Sequence, residues 1–80
     1  MNQTYERQFG KHIRMAREKR GMTQEALAAQ LQINGCDITR GALAKMETGL
    51  RHVYPDEIRC IRACLRVSYE ELFEGADGEG

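Results

Sequence analysis

Residues 23–49 read "TQEALAAQLQINGCDITRGALAKMETG", two helical segments around one turn. Thr23 is a good N-cap, Glu25 lies in the first turn at the positive end of the helix dipole, and Ala26, Leu27, Ala28 and Leu31 supply a buried side. Asn34-Gly35 is a turn dipeptide, so "INGCD" breaks this helix. Thr39 caps the next one, in which Leu43 and Met46 lie three apart on one face. Its first turn is Arg40, Gly41, Ala42. A glycine inside a helix costs about 1 kcal/mol relative to Ala. A long cation beside a residue with no side chain therefore needs a reason other than helix stability.

The flanking chain is helical too. Tyr5, Phe9, Ile13 and Ala16 recur at spacings of four and three, which predicts a first helix from Thr4 to Arg20. Gly21 stops it after the cationic turn Lys19-Arg20. The third helix should end at Gly49, and "LRHVY" reads as a loop. Pro55 fits the first position of a fourth helix, with Asp56 and Glu57 behind it and a stripe of Ile58, Ile61, Cys64 and Leu65. Ser68-Tyr69-Glu70-Glu71 is a capping box that opens a short fifth helix containing Leu72 and Phe73. Five short helices with short connections make an all-α bundle: one domain over residues 1–74 and an acidic, Gly-rich tail over 75–80, expected to be frayed.

Bulk composition agrees. The chain has 80 residues, 41% hydrophobic and 30% charged, as in an ordinary globular domain, and a domain of this size has a thin core. No apolar run approaches the roughly 20 residues that span a bilayer. The stretch "MNQTYERQFGKHIR" has no signal-peptide core, so the expected location is the cytoplasm. Net charge is zero but unevenly spread. Residues 1–52 hold nine Lys/Arg against five acids, a net of +4, and residues 53–80 hold three against seven, a net of −4. A basic front allows a polyanion to bind on one face.

The third helix has the surface for it. With Leu43 and Met46 turned inward, its outward set is Thr39, Arg40, Gly41, Ala44, Lys45 and Thr48. That set holds two cations, no acid and no bulky group. Arg gives bidentate contacts to guanine, Lys reaches the same acceptors, and Ala can touch a thymine methyl. Gly41 and Ala44 permit close approach, and the helix N-terminus offers free N–H groups to a phosphate. The alternative is a plain solvated face.

The order of the motifs adds to this. "TQEALAAQL", a turn, and "TRGALAKMETG", preceded by "AREKRGMTQ" and followed by "LRVSYEELF", resemble the Cro/phage-repressor family of helix-turn-helix regulators, the xenobiotic-response-element type, over residues 9 to 73. The resemblance implies a lambda-repressor-like five-helix domain that binds double-stranded DNA. It implies base contacts from Thr39, Arg40, Gly41, Ala44 and Lys45, and phosphate contacts from Gln24, Thr48, Arg51 and His52. It implies an ion pair between Arg17 and Glu47, tying the first helix to the third, and a homodimer formed through the loop and last helices. One departure stands out: about five extra residues separate the second and third helices, where the family has a turn of about three to four. Either the second helix runs a turn longer or the loop bulges outward, bringing Asn34 to Asp37 near the DNA backbone.

Other chemistries find little purchase. Cys36, Cys60 and Cys64 lack a third and fourth ligand at zinc spacing and read as small buried hydrophobes. Neither His12, expected to be exposed, nor His52 has a metal-ligand partner. There is no Gly-rich phosphate loop and no nucleophile with a base, so no enzyme, metal, cofactor or small-molecule ligand is expected. Tyr5 and Phe9 should pack on the bundle and Met22 should bridge the first two helices. Leu50, Val53 and Tyr54 are either packed inward or used for pairing. The second functional reading is a protein-interaction module of the same fold, antitoxin-like or anti-repressor, that does not read DNA; the neutral net charge and the inserted turn motivate it.

Overall fold

The computed structural model describes residues 3–75, with Gln3 placed by its backbone alone, as five helices: α1 Gln3–Lys19, α2 Gln24–Ile33, α3 Arg40–Glu47, α4 Pro55–Leu65 and α5 Tyr69–Glu74. No strand occurs among the described residues. Of the tail expected over 75–80, Gly75 is the C-cap of α5 and the rest lies outside the described residues. The N-caps are those expected from sequence: Thr23, Thr39 and Ser68 each accept a hydrogen bond from the backbone N–H three residues on, at 3.0, 3.1 and 2.9 Å. Pro55 opens α4, where the Glu57 carboxylate reaches back to the Tyr54 N–H at 3.0 Å.

Four helices stop by one device. After α1 the Met22 N–H bonds the Arg17 carbonyl at 3.1 Å and the Gly21 N–H bonds Glu18 at 2.9 Å, a paired closure that needs a left-handed residue at its corner. The same closure ends α2 at Gly35 and α3 at Gly49. It ends α4 at Arg66, the one non-glycine residue with positive φ (57°) among those described. Glycines at three of the four corners make the stops readable from sequence.

Ile13, Leu27, Leu31, Ile38, Leu43, Met46, Ile61, Leu65 and Leu72 are fully buried and form one core, which α1 crosses against α3, α4 and α5. The long connection between α2 and α3 takes neither expected form in full. α2 runs only to Ile33, and the chain then turns inward, seating Cys36 and Ile38 in the core. The Asn34 amide ties the turn down by donating to the Gln30 carbonyl at 2.8 Å. Ile38 is buried while Asp37 is exposed and does not cap α3, since Thr39 does.

Three further expectations are corrected. Phe9 packs, with its ring 4.9 Å from Phe73, but Tyr5 is 72% exposed: one turn nearer the N-terminus it flanks an open groove instead of sharing that cover. His12 is half-buried, its Nδ1 2.6 Å from the Leu72 carbonyl, so it helps to tie α5 to α1. The apolar loop before α4 splits: Val53 is buried, while Leu50 and Tyr54 are exposed. Met22 packs against the core, as expected.

Candidate nucleic-acid interface

Glu47, the last residue of α3, is the junction of three helices. Its Oε2 accepts from Arg17 Nε at 2.7 Å, and its Oε1 accepts from Arg17 Nη2 and from Gln24 Nε2, both at 3.0 Å. Arg17 Nη1 also donates to the Met22 carbonyl at 2.8 Å. Both charged side chains are buried, and the hydrogen bond that Arg17 donates to Glu47 is the main reason the Arg17 pKa rises above its ordinary value. A buried pair with its remaining donors and acceptors filled is tolerated, and it fixes geometry more than it adds net stability. Here it fixes the end of α3 to α1 and to the start of α2.

The same junction is closed by two glycines. A Cβ on Gly10 of α1 would stand 2.1 Å from the Met46 carbonyl oxygen and 2.7 Å from that of Glu47. A Cβ on Gly49, where φ is +80°, would stand 2.8 Å from the Arg7 Cα. Backbone meets backbone at the crossing of α1 and α3. Sequence reading passed over Gly10, although a glycine inside a periodic helix was the available signal.

α3 thus anchored turns Leu43 and Met46 fully inward and leaves Arg40, Gly41, Lys45, Thr48 and the cap Thr39 exposed, with Ala44 half-exposed between them. Among the described residues, no carboxylate pairs with Arg40 or Lys45. A Cβ on Gly41 would meet nothing closer than Thr39 Oγ1 at 3.9 Å. The fold has no packing reason for this glycine. Thr48 is held at the helix end by its hydroxyl, 3.2 Å from the carbonyls of Ala44 and Lys45.

The other sequence-selected residues are differently placed. Gln24, half-buried, spends its side-chain amide on Glu47 and so braces α3. Arg51 is held in a bidentate pair with Glu57, both bonds at 3.0 Å, and also donates to the His52 carbonyl at 2.9 Å. The Arg51 hydrogen bonds are the chief cause that holds the Glu57 carboxyl below the ordinary 4.5, helped by the Tyr54 N–H and opposed by burial. His52 pairs with Glu6 and sets its ring edge against Tyr54 at 4.8 Å. Arg51 and His52 are therefore each engaged by a carboxylate, whereas Arg40 and Lys45 are not. Cys36 is buried, and desolvation, aided by a hydrogen bond with Cys60, pushes its thiol up to about 12, so it stays protonated at neutral pH.

The model of a family described as "Helix-turn-helix domain" matches residues 8–72. The chain belongs to this family. It is related to the Cro/phage-repressor type of helix-turn-helix domain, as the sequence motifs suggested. The match runs from α1 into α5, so the whole bundle is the helix-turn-helix domain, with α2 and α3 as its two central helices. Comparison with curated protein sequences and with solved structures gives no significant match. Membership implies DNA binding, and no helix among the described residues is long and apolar enough to cross a membrane.

Proposed function

We propose that the helix-turn-helix domain is a sequence-specific DNA-binding transcriptional regulator, a repressor, that places α3 in the major groove. Arg40 and Lys45 read base edges there, with Thr39, Gly41 and Ala44 forming the close contact surface between them. Thr48 fixes the register on phosphates, and Gln24 joins it through the second N–H of the amide that it donates to Glu47. Arg51 and His52 share that task at the rim, by lending donors otherwise turned to Glu57 and Glu6. The observation that carries the reading is the outward face of α3: two cations that have no carboxylate partner among the described residues, flanking a glycine whose missing side chain no described neighbour requires.

The same reading includes a homodimer acting in the cytoplasm. Its support is an open, mostly apolar groove lined by Tyr5, Phe9, Val53, Ile58 and Phe73 with Glu6 and His52, and the exposed Leu50 and Tyr54 of the loop before α4. A protomer of 31 × 26 × 19 Å fits one half-site when half-sites lie one helical turn, about 34 Å, apart. That apolar groove also favours a second reading, a protein-interaction module that keeps the fold without reading DNA.

Fluorescence anisotropy on an enriched duplex separates the two. Arg40→Ala should cost about 1–3 kcal/mol of binding and relax the preference at one base position. A loss under about 0.5 kcal/mol with unchanged preference would remove Arg40 from the reading set. The module reading predicts that Arg40→Ala and Lys45→Ala leave binding to a protein partner intact.

A further inference from the structure

We infer that α1 carries a second DNA-contacting surface, a cationic rail formed by Arg7, Lys11 and Arg14 that grips the phosphate backbone beyond the edge of the major groove. The inference rests on the DNA reading of α3 and adds to it an element outside the two helices of the motif.

Position comes first. α1 crosses the end of α3 backbone against backbone, with Gly10 against Met46 and Glu47 and Gly49 against Arg7. Arg7, Lys11 and Arg14 lie at spacings of four and three around that contact, on one side of α1. Together with Thr4, Gln8 and Glu47 they line a shallow groove that begins where α3 ends. The rail therefore starts at the C-terminal end of α3, at Glu47, the residue before Thr48. From Arg7 to Arg14 it spans about 10 Å of helix, enough for two or three phosphates of one strand.

Charge comes second. The carboxylate in that groove, Glu47, is buried and already taken by Arg17 and Gln24. Glu6, on the same helix, faces His52 and the apolar groove of the domain and does not line this one. Arg14 pairs with Glu18 at 3.1 Å, but both side chains are more than half exposed, and such a pair is cheap to exchange for a phosphate. Arg7 and Lys11 are exposed, and among the described residues no carboxylate pairs with them. Exposed cations that specify no base and touch no acid suit a polyanion read by charge alone. The occupant is the sugar–phosphate backbone of the same duplex that α3 enters.

The test is the salt dependence of binding for the double variant Arg7→Ala, Lys11→Ala. Each lost phosphate contact lowers the slope of log K against log[salt] by about 0.9, so the slope should fall by about 1.8. Between 200 and 50 mM salt the affinity gain of the variant should be about twelvefold smaller than that of the wild type. Base preference should not change. A control that removes as much charge elsewhere, Arg59→Ala on α4 with Arg66→Ala at its C-terminal corner, should leave the slope alone. A slope for the Arg7/Lys11 variant within about 0.5 of wild type, or an equal fall in the control, overturns the rail. If selection enriches no sequence, the same variants are read on a random duplex. A fall in slope confined to the Arg7/Lys11 variant then upholds the rail while the base-reading role of α3 fails; no fall removes the rail as well.

Discussion

Two of the described glycines sit inside helices, and they sit there for opposite reasons. Gly10 is pressed against the backbone of α3, and a methyl group in its place would overlap the Met46 carbonyl. Gly41 faces open space, with one atom at 3.9 Å from where its Cβ would be. Each costs helix stability relative to Ala. At Gly10 the fold recovers that cost by letting α1 meet the backbone of α3. At Gly41 nothing within the chain recovers it, and the missing side chain leaves room beside Arg40 and Lys45. The junction around Gly10, Arg17, Gln24 and Glu47 holds α3 in place; the face around Gly41 uses that placement.

The contrast can be broken at either end, most severely at the junction. Glu47→Ala leaves the Arg17 guanidinium buried without its carboxylate and removes the acceptor of Gln24. Unfolding by urea should show a loss of about 3–5 kcal/mol. A loss below about 1 kcal/mol would mean that the junction is not what fixes α3. Gly10→Ala should cost about 3 kcal/mol, the upper range of overpacking, because the clash is with backbone that has no rotamer to escape through. Thermal unfolding reads it directly.

At Gly41 the sign should reverse. Gly41→Ala should raise stability by up to about 1 kcal/mol and at the same time weaken binding to the preferred duplex. Stability and anisotropy measurements on one sample decide it. A variant that is more stable and binds as well as wild type would show that close approach is not the purpose of this glycine.

Legibility in the sequence divides along the same line. The helices, their caps and three of their stops followed from periodicity, from Thr and Ser, and from glycine corners, since these signals are local. The Arg17–Glu47 pair followed from the family motif, and the two side chains lie 2.7 Å apart in the structure. What stayed hidden was set by tertiary contact. Gly10 was passed over in a helix whose apolar spacing was otherwise regular, and His12 found the Leu72 carbonyl 60 residues away. The inserted turn could be counted but not placed: Cys36 and Ile38 draw it into the core, and single-sequence patterning says little about an apolar residue in a loop. At the site, residue types on the α3 face were readable, whereas the partners of Arg51 and His52 were not, because Glu57 and Glu6 approach from other elements.

A smaller effect tests the rim. The Arg51–Glu57 pair holds the Glu57 carboxyl below 4.5. A group whose folded pKa is depressed stabilises the fold above its unfolded value and loses that contribution as pH falls through the folded one. Glu57→Gln should therefore cost about 1 kcal/mol near neutral pH and flatten the decline in stability below about pH 4.5. Equal acid sensitivity in wild type and variant would place the sensitivity elsewhere. Freed from its carboxylate, Arg51 in this variant should also bind DNA at least as tightly as before.

The central claim is that the outward face of α3 reads base sequence. The most direct measurement is in-vitro selection from a random duplex library at about 150 mM salt, an ionic strength that suppresses purely electrostatic binding. The account predicts an enriched motif whose preference changes at one position in Arg40→Ala, with two copies about 10 bp apart if the homodimer forms. Failure to enrich any sequence, with binding that vanishes steeply as salt rises, would contradict it and leave the basic face as a nonspecific patch on a protein-interaction module.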